Sequence, residues 1–420
     1  SCGSVKSGEE AIAASRESKV VVAYVTSWSE VMPDPQYMTH INYAFGHVNE
    51  SFNGVKIDNE ERLRQIVDLR KQKPELKVLL SIGGWGSGRF SEMAANDEYR
   101  RAFAADCDRV VKEFALDGID IDWEYPTSSM ANISSSPDDT ENFTLLMQDI
   151  RAAIGNEKEL TLATVASARY IDFKAILPSV DFVNIMAYDM ASAPKHHSAL
   201  YPSGHSGDIT SDGAVTAHLK AGVPPSKLVM GMPFYGRGGD GYPSFQDYNK
   251  VGNTDTQYTE KWDEVAQVPY LADKNDTLVF GFENPRSLAI KCQYILDKDL
   301  LGGMYWDYSG DNEQGDLRRT VAENLLGKPH KAKVLVLTER GGQHGGFTDA
   351  GLRWLAAEGV KGNFSITEIN NARNITEAYL SQFSLVIQLD FPPYTWPKEA
   401  EDAFVKYIEE GRGGWIGFHH

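Results

Sequence analysis

The residues best suited to chemistry stand together at Asp117–Pro126, DGIDIDWEYP. Asp120, Asp122 and Glu124 alternate with Ile119, Ile121 and Trp123, the two-residue period of a β-strand. Residues two apart on a strand share a face, about 7 Å from one another. The three carboxyl groups therefore project together, and the apolar trio projects to the other side. Three like charges in a confined space cannot all ionise freely. Repulsion raises at least one pKa, and the cluster is expected to hold a proton near neutral pH. A carboxyl group protonated at that pH can serve as a general acid, for example toward the leaving oxygen of a glycosidic bond. The same alternation also suits a divalent-cation site or a network of buried structural carboxylates. Against a cation, no His, Asn or further Asp follows at loop spacing, so no metal is assigned.

Such a strand needs a frame that turns its acidic face inward. From Lys19 onward, strand-like runs at 20–28, 40–46, 77–84, 118–124, 160–166, 181–188, 228–236 and 302–308 alternate with helix-like periods. Eight strands alternating with helices over this length predict an α/β fold, a closed (β/α)8 TIM barrel over 19–328. An open doubly wound sheet satisfies the alternation alone equally well. In a barrel the isoleucines and Trp123 would face the helices, and the carboxylates would line the interior. Glu124, the last of the three, would then reach the C-terminal rim, where barrel active sites form. Tyr24, Phe45, Trp85 and Trp306 stand at or just beyond strand ends. Each could be barrel core or cleft wall; glycine pairs beside Trp85 and Trp306 favour the cleft. An aromatic wall would suit the apolar C–H faces of a sugar.

Residues 1–18 are small and polar and read as a flexible tail. Near Leu326–Lys333 the chain passes through Gly, Pro and three Lys, then starts a second, smaller βα series at 331–420. That series ends on strand-like GWIGFHH with no helix to cover it, whereas a parallel sheet needs both faces covered. This second domain is expected to be incomplete, or finished by another chain. The formal net charge is −18, which disfavours nucleic acid and anionic membranes and favours neutral or cationic ligands. No apolar run reaches the ~20 residues of a membrane span. The three cysteines, Cys2, Cys107 and Cys292, form neither a disulfide framework nor a metal-ligand pattern. Cys2, in SCGS, resembles the residue exposed when a bacterial lipoprotein signal is cut, which would imply a lipid anchor and a secreted or cell-envelope location; an ordinary exposed cysteine of the tail fits the same residues.

With SIGGW (81–85), MAYD (186–189), LVMGMPFYGR (228–237) and GGMYWDYSGD (302–311), DGIDIDWEYP resembles the ordered motifs of glycoside hydrolase family 18, the chitinases and related endo-β-N-acetylglucosaminidases. The resemblance covers about residues 19–326. It implies a chitin-type or other N-acetylglucosamine-containing oligosaccharide as partner, no cofactor, and retaining hydrolysis in which the substrate's own acetamido oxygen is the nucleophile. It implies that Glu124 is the acid and later the base, and that Asp122 orients the acetamido group while trading a proton with Asp120. Tyr188 would donate to the acetamido oxygen, Asp189 and Met186 would line the same subsite, and Trp306 would form the floor. Tyr235 and Arg237 would bind sugar hydroxyls or carbonyls, with Trp85, Tyr24 and Phe45 along the cleft, and Asp117 would support the strand. Only about 25 residues, Gly238–Trp262, separate YGR from KWDEVAQVPY, so an α+β insertion is expected to be short or absent, the cleft shallow and the cutting endo-type. The family also includes N-glycan-cleaving enzymes, whose chemistry is identical, and lectins that have lost the acid. KVLVLTERGGQHGGFTD and GRGGWIGFHH resemble a trehalose-utilisation-type domain, which implies a partial flavodoxin-like sheet. There His344, His419 and His420 could line a site or be ordinary surface histidines.

Overall fold

The computed structural model describes residues 19–239, 241–251, 257–327, 332–339, 345–362, 364–373, 375–391 and 395–418. The tail with Cys2, and His344, His419 and His420, lie outside the described residues. The chain divides into two compact units on either side of Gly327 and Lys328.

In the first unit, eight parallel strands close on themselves. They are β1 (Val20–Thr26), β2 (His40–Val48), β4 (Lys77–Gly83), β5 (Gly118–Asp122), β6 (Glu159–Val165), β7 (Phe182–Met186), β8 (Leu228–Pro233) and β14 (Gly302–Trp306). Strand β1 pairs with both β2 and β14, which closes the ring and rules out the open sheet. A short β3 (Val55–Ile57) runs antiparallel to the end of β2.

Helices whose apolar faces recur every three to four residues cover the outside. The helix Asp97–Glu113 is capped by the Asn96 side chain on the Tyr99 amide, and it buries Phe103, Cys107, Val110 and Val111. Asp139–Ile154 buries Phe143, Leu146, Met147 and Ile150. Between them sits the outward face of β5: Ile119, Ile121 and Trp123 are all buried in the same core. Trp123 stacks on Phe90 at 5.4 Å and meets Phe143 edge-on. Asp117 supports the strand start from below, accepting the Val78 amide at 2.7 Å and pairing with Arg70 at 3.3 Å.

The interval after YGR holds a compact antiparallel module, with no α-helix among its described residues. Strands β9 (Tyr235–Gly238), β10 (Gln246–Asp247), β11 (Thr259–Asp263), β12 (Val268–Ala272) and β13 (Leu278–Gly281) form a five-stranded sheet. Between Gly238 and Trp262 the described residues add no strand beyond β10 and the start of β11, so most of the sheet lies outside that interval. Strands of two to five residues show too few alternations to be read from sequence. The module is tied down where it rejoins the barrel. Lys291, on the helix Pro285–Asp297, is wholly buried and paired with Glu283 at 2.8 Å, and it also donates to the Ser198 carbonyl at 2.5 Å.

The second unit is a four-stranded parallel sheet of β15 (Ala332–Leu337), β16 (Phe364–Ile369), β17 (Leu385–Gln388) and β18 (Gly414–Gly417), ordered β16-β15-β17-β18. In chain order this is 2-1-3-4, as in flavodoxin-like sheets. Helices Gly345–Gly362 and Lys398–Glu409 accompany it. Leu335, Leu337, Val386 and Tyr407 are in its core, whereas all four residues of β18 are exposed.

Candidate active site

The interior of the barrel is built in layers by parallel register. Asp120 on β5 lies opposite Ser81 on β4 and Thr161 on β6, and side chains at paired positions point to the same face. Both hydroxyls donate to the Asp120 carboxylate, at 2.8 and 2.7 Å, and Tyr24 adds a third bond at 2.8 Å. Burial alone pushes the Asp120 carboxyl up, while the three hydroxyl donors pull it back. Asp120 is therefore the anchored member of the cluster.

One layer higher, Asp122 has no such support. One of its carboxylate oxygens is buried without a hydrogen-bond partner, and its pKa is raised well above the ordinary range by burial, then by the Glu124 charge. Asp122 and Glu124 share a hydrogen bond. Glu124 is pushed up to about 7, chiefly by burial and also by the Asp189 charge, against hydrogen bonds from Asp122 and Tyr125. The pair thus holds a proton at neutral pH, so the acidic strand's charge conflict is resolved between its last two carboxylates. In this structure Asp122 is turned toward Glu124 and not toward Asp120.

Glycine makes the close packing of this corner feasible. A Cβ on Gly83, at φ +129°, would lie 2.0 Å from the Asp122 carbonyl oxygen. A Cβ on Gly84, at φ +100°, would enter the Phe45 ring at 2.7 Å. The SIGGW glycines are thus required by the approach of β4 to β5 and by the left-handed backbone.

Above the carboxylates opens a cavity of about 710 Å³. All the residues expected at the site line it except Asp120, which lies beneath its floor: Tyr24, Phe45, Trp85, Asp122, Glu124, Met186, Tyr188, Asp189, Tyr235, Arg237 and Trp306. Tyr24 is buried and serves chiefly as a hydroxyl donor to Asp120, while its ring contacts Trp306 at 5.4 Å. Phe45 stacks on Trp306 at 5.6 Å. Trp85 stands 61% exposed at the rim. Tyr188 is pushed well above its ordinary range by burial, so its hydroxyl stays protonated and able to donate. Tyr235 donates to the Asp189 carboxylate at 2.8 Å, and Arg237 lies 3.6 Å from the same oxygen. Burial would raise the Asp189 carboxyl, but His197, Tyr235 and Arg237 together hold it below the ordinary range.

Several residues in or beside the cavity carry no signal of their own in the sequence. Trp28, 66% exposed, stands two residues beyond β1 and faces Phe45 and Trp306, each at 6.3 Å. Phe245 stacks on Tyr235 at 4.7 Å from within the antiparallel module. Tyr125 is buttressed by Tyr170 at 5.3 Å. A second groove of about 720 Å³ shares Trp28, Phe45 and Trp85 with the first and continues past His47, Asp58 and Arg89. Among the described residues, no group of three or more His, Cys, Asp or Glu side chains is placed to hold a metal ion, and no helix is long and apolar enough to cross a membrane.

Residues 20–311 match the protein-family description "Glycosyl hydrolases family 18". The chain belongs to this family. The chain is 29% identical to chitinase A1 of Niallia circulans over an alignment of 413 positions that covers 73% of this chain and 58% of that protein. Chitotriosidase-1 of Mus musculus is 31% identical over 350 residues, covering 70% and 74%. Among solved structures, a family 18 N-acetylglucosaminidase from Paenibacillus barengoltzii superposes with a TM-score of 0.68 at 32% identity, covering 73% of this chain and 100% of that one. The chain thus spans somewhat over half the length of chitinase A1. Residues 333–420 match a second description, "Trehalose utilisation".

Proposed function

We propose that the barrel hydrolyses β-1,4-linked N-acetylglucosamine oligomers or polymers of the chitin type, with retention, through an oxazolinium intermediate formed by the substrate's own acetamido group. The observation that carries this reading is the Asp122–Glu124 pair, which holds a proton at the floor of an aromatic-walled cavity. Glu124, protonated up to about pH 7, donates to the glycosidic oxygen; once the leaving sugar departs, its carboxylate takes a proton from water. Asp122 accepts the acetamido N–H and turns the acetamido oxygen toward the anomeric carbon. Asp120 fixes the strand beneath it. Tyr188 donates to the acetamido oxygen, which gathers positive charge as the ring closes, and so chiefly orients it. Trp306, with Phe45 and Tyr24, receives the sugar's apolar face, while Asp189, Tyr235, Arg237 and Met186 line the same subsite.

The relatives named above support an acetamido-sugar substrate, since chitinase A1, chitotriosidase-1 and an N-acetylglucosaminidase are among the proteins similar to this barrel. The groove that continues past Trp28, Phe45 and Trp85 leaves room for chain on more than one side of the cut, which supports endo-type action. Incubation with defined chito-oligosaccharides, alongside a high-mannose glycoprotein, tests the reading. Mixed oligomers with an initially β-anomeric product are expected. Disaccharide alone from one chain end would refute endo action, and glycan release from the glycoprotein without chito-oligosaccharide cleavage would move the substrate to N-glycans.

A further inference from the structure

Asp189 reaches the cleft from a backbone in the left-handed region, at φ +53°, a conformation that a residue with a side chain adopts at a steric cost. Tyr235 and Arg237 hold its carboxylate, but neither holds its backbone. That task falls to one side chain, His197, which is fully buried. The Asp189 amide donates to His197 Nδ1 at 3.1 Å, and the next amide, Met190, donates to the His197 carbonyl at 3.0 Å. The two bonds clasp the turn after β7 from both ends. The same Nδ1 lies 3.6 Å from the Asp189 carboxylate, while Nε2 is buried and has no hydrogen-bond partner among the described residues. Leaving that group unsatisfied is costly, so the ring is kept for what Nδ1 does.

The clasp is itself anchored. The His197 ring lies 5.2 Å from the Tyr235 ring, which in turn bonds Asp189. Ser198, the next residue, donates to Glu283 at 2.6 Å and receives Lys291 on its carbonyl. The helix Pro285–Asp297 is therefore braced against Ser198, and β9 of the antiparallel module against His197.

We propose that His197 is a positioning residue of the active site, setting the backbone and carboxylate of Asp189. His197 does not itself line the cavity; it stands behind Asp189 and Tyr235, which do. The groups facing Glu124 are Asp122, Tyr125, Tyr188 and Asp189; of these, only Asp189 depends on His197 for its place. The inference rests on the proposed glycosidase reading for its kinetic consequence, but not for its geometric one.

Two substitutions in the full chain test it. His197→Phe keeps the ring against Tyr235 and removes the acceptor; His197→Asn puts an acceptor oxygen close to the place of Nδ1. For His197→Phe, kcat/KM on a chito-oligosaccharide should fall by ~10- to 100-fold, the scale of a small misplacement of a substrate-positioning group. Its upper pH limit should also move to lower pH, because the Asp189 charge no longer favours protonated Glu124. His197→Asn should stay within about threefold of the parent with an unmoved profile, since the acceptor is restored. A crystal structure of His197→Phe should show Asp189 out of the left-handed region and its bond to Tyr235 broken. Retention of that φ and bond would overturn the proposal, as would unchanged kinetics in His197→Phe or equal damage in both variants. If His197→Phe does not fold, a folded His197→Asn with a tenfold loss overturns it by itself. Absence of turnover in the parent would instead sink the glycosidase reading, and the crystal geometry would still decide the role of His197.

Discussion

Replacing Glu124 with Gln should separate catalysis from stability and reveal the cost of the acid. Glu124 titrates in the unfolded chain near 4.5 and in the folded one near 7. A carboxyl group raised on folding costs nothing below its unfolded pKa, where both states are protonated. As pH climbs from 4.5 to 7, the unfolded state releases its proton first and the folded state loses stability. Above 7 the loss is complete. At about 1.4 kcal/mol per pH unit this amounts to about 3 kcal/mol, less whatever Asp122 relieves by taking part of the proton. Gln is isosteric and neutral and avoids the cost. At about 2.1 cal/mol/K of unfolding entropy per residue, a unit of this size gains about 1.5 °C per kcal/mol, so roughly 3–5 °C is expected. The assay is thermal unfolding of the full chain, followed by tryptophan fluorescence at pH 5 and pH 8. Parent and variant should melt within about 1–2 °C at pH 5, and Glu124→Gln should melt higher by roughly 3–5 °C at pH 8. Its turnover should fall by ~10²–10⁴-fold, the usual contribution of a general acid, and parent turnover should decline as pH rises through about 7. A midpoint difference that does not change with pH, or turnover that survives, would refute the assignment of the shared proton.

Four further outcomes follow from the same geometry. Asp122→Asn should lower kcat by at least ~10²-fold with little change in KM, because Asn can still occupy the position but orients the acetamido group wrongly; a purely KM effect would count against the role. Trp306→Ala should raise KM by about tenfold or more on oligosaccharides, as removal of an aromatic sugar platform costs at least ~1 kcal/mol, readable by steady-state kinetics. Phe245→Ala, at the edge of the module, should raise KM about fivefold with kcat unchanged; an unaltered KM would place Phe245 outside the substrate path. Gly84→Ala should lower the melting temperature and turnover together, since its Cβ meets the Phe45 ring at 2.7 Å, whereas Gly86→Ala, at φ +83° with its Cβ 3.9 Å from the Ala131 carbonyl oxygen, should strain the backbone but do less harm to packing.

Much of this site was legible because its residues lie on regular elements. The alternation in Ile119–Glu124 placed three carboxylates inside the barrel, and strong apolar runs marked all eight barrel strands to within a few residues. The pairing inside the cluster was not legible: whether Asp122 turns toward Asp120 or Glu124 depends on Ser81, Thr161 and Tyr24 filling the Asp120 oxygens from three other strands. His197 was hidden for a similar reason. It sits in an irregular segment, HHSAL, where no period marks which of two adjacent buried histidines faces Asp189. Trp28 and Phe245 lie beyond the ends of the elements that carry them. The antiparallel module escaped because its strands are shorter than the period needed to recognise them.

The buried Lys291–Glu283 pair has a use as a probe of motion. An amine with no solvent exposure cannot meet an acylating reagent while the fold is closed, so its labelling rate measures how often the helix Pro285–Asp297 opens. Cys292, the adjacent residue, is equally buried and offers the same measurement through thiol chemistry. Two neighbouring groups of different reactivity, reporting one common rate, would show that this corner opens as a single cooperative piece; different rates would show that it frays.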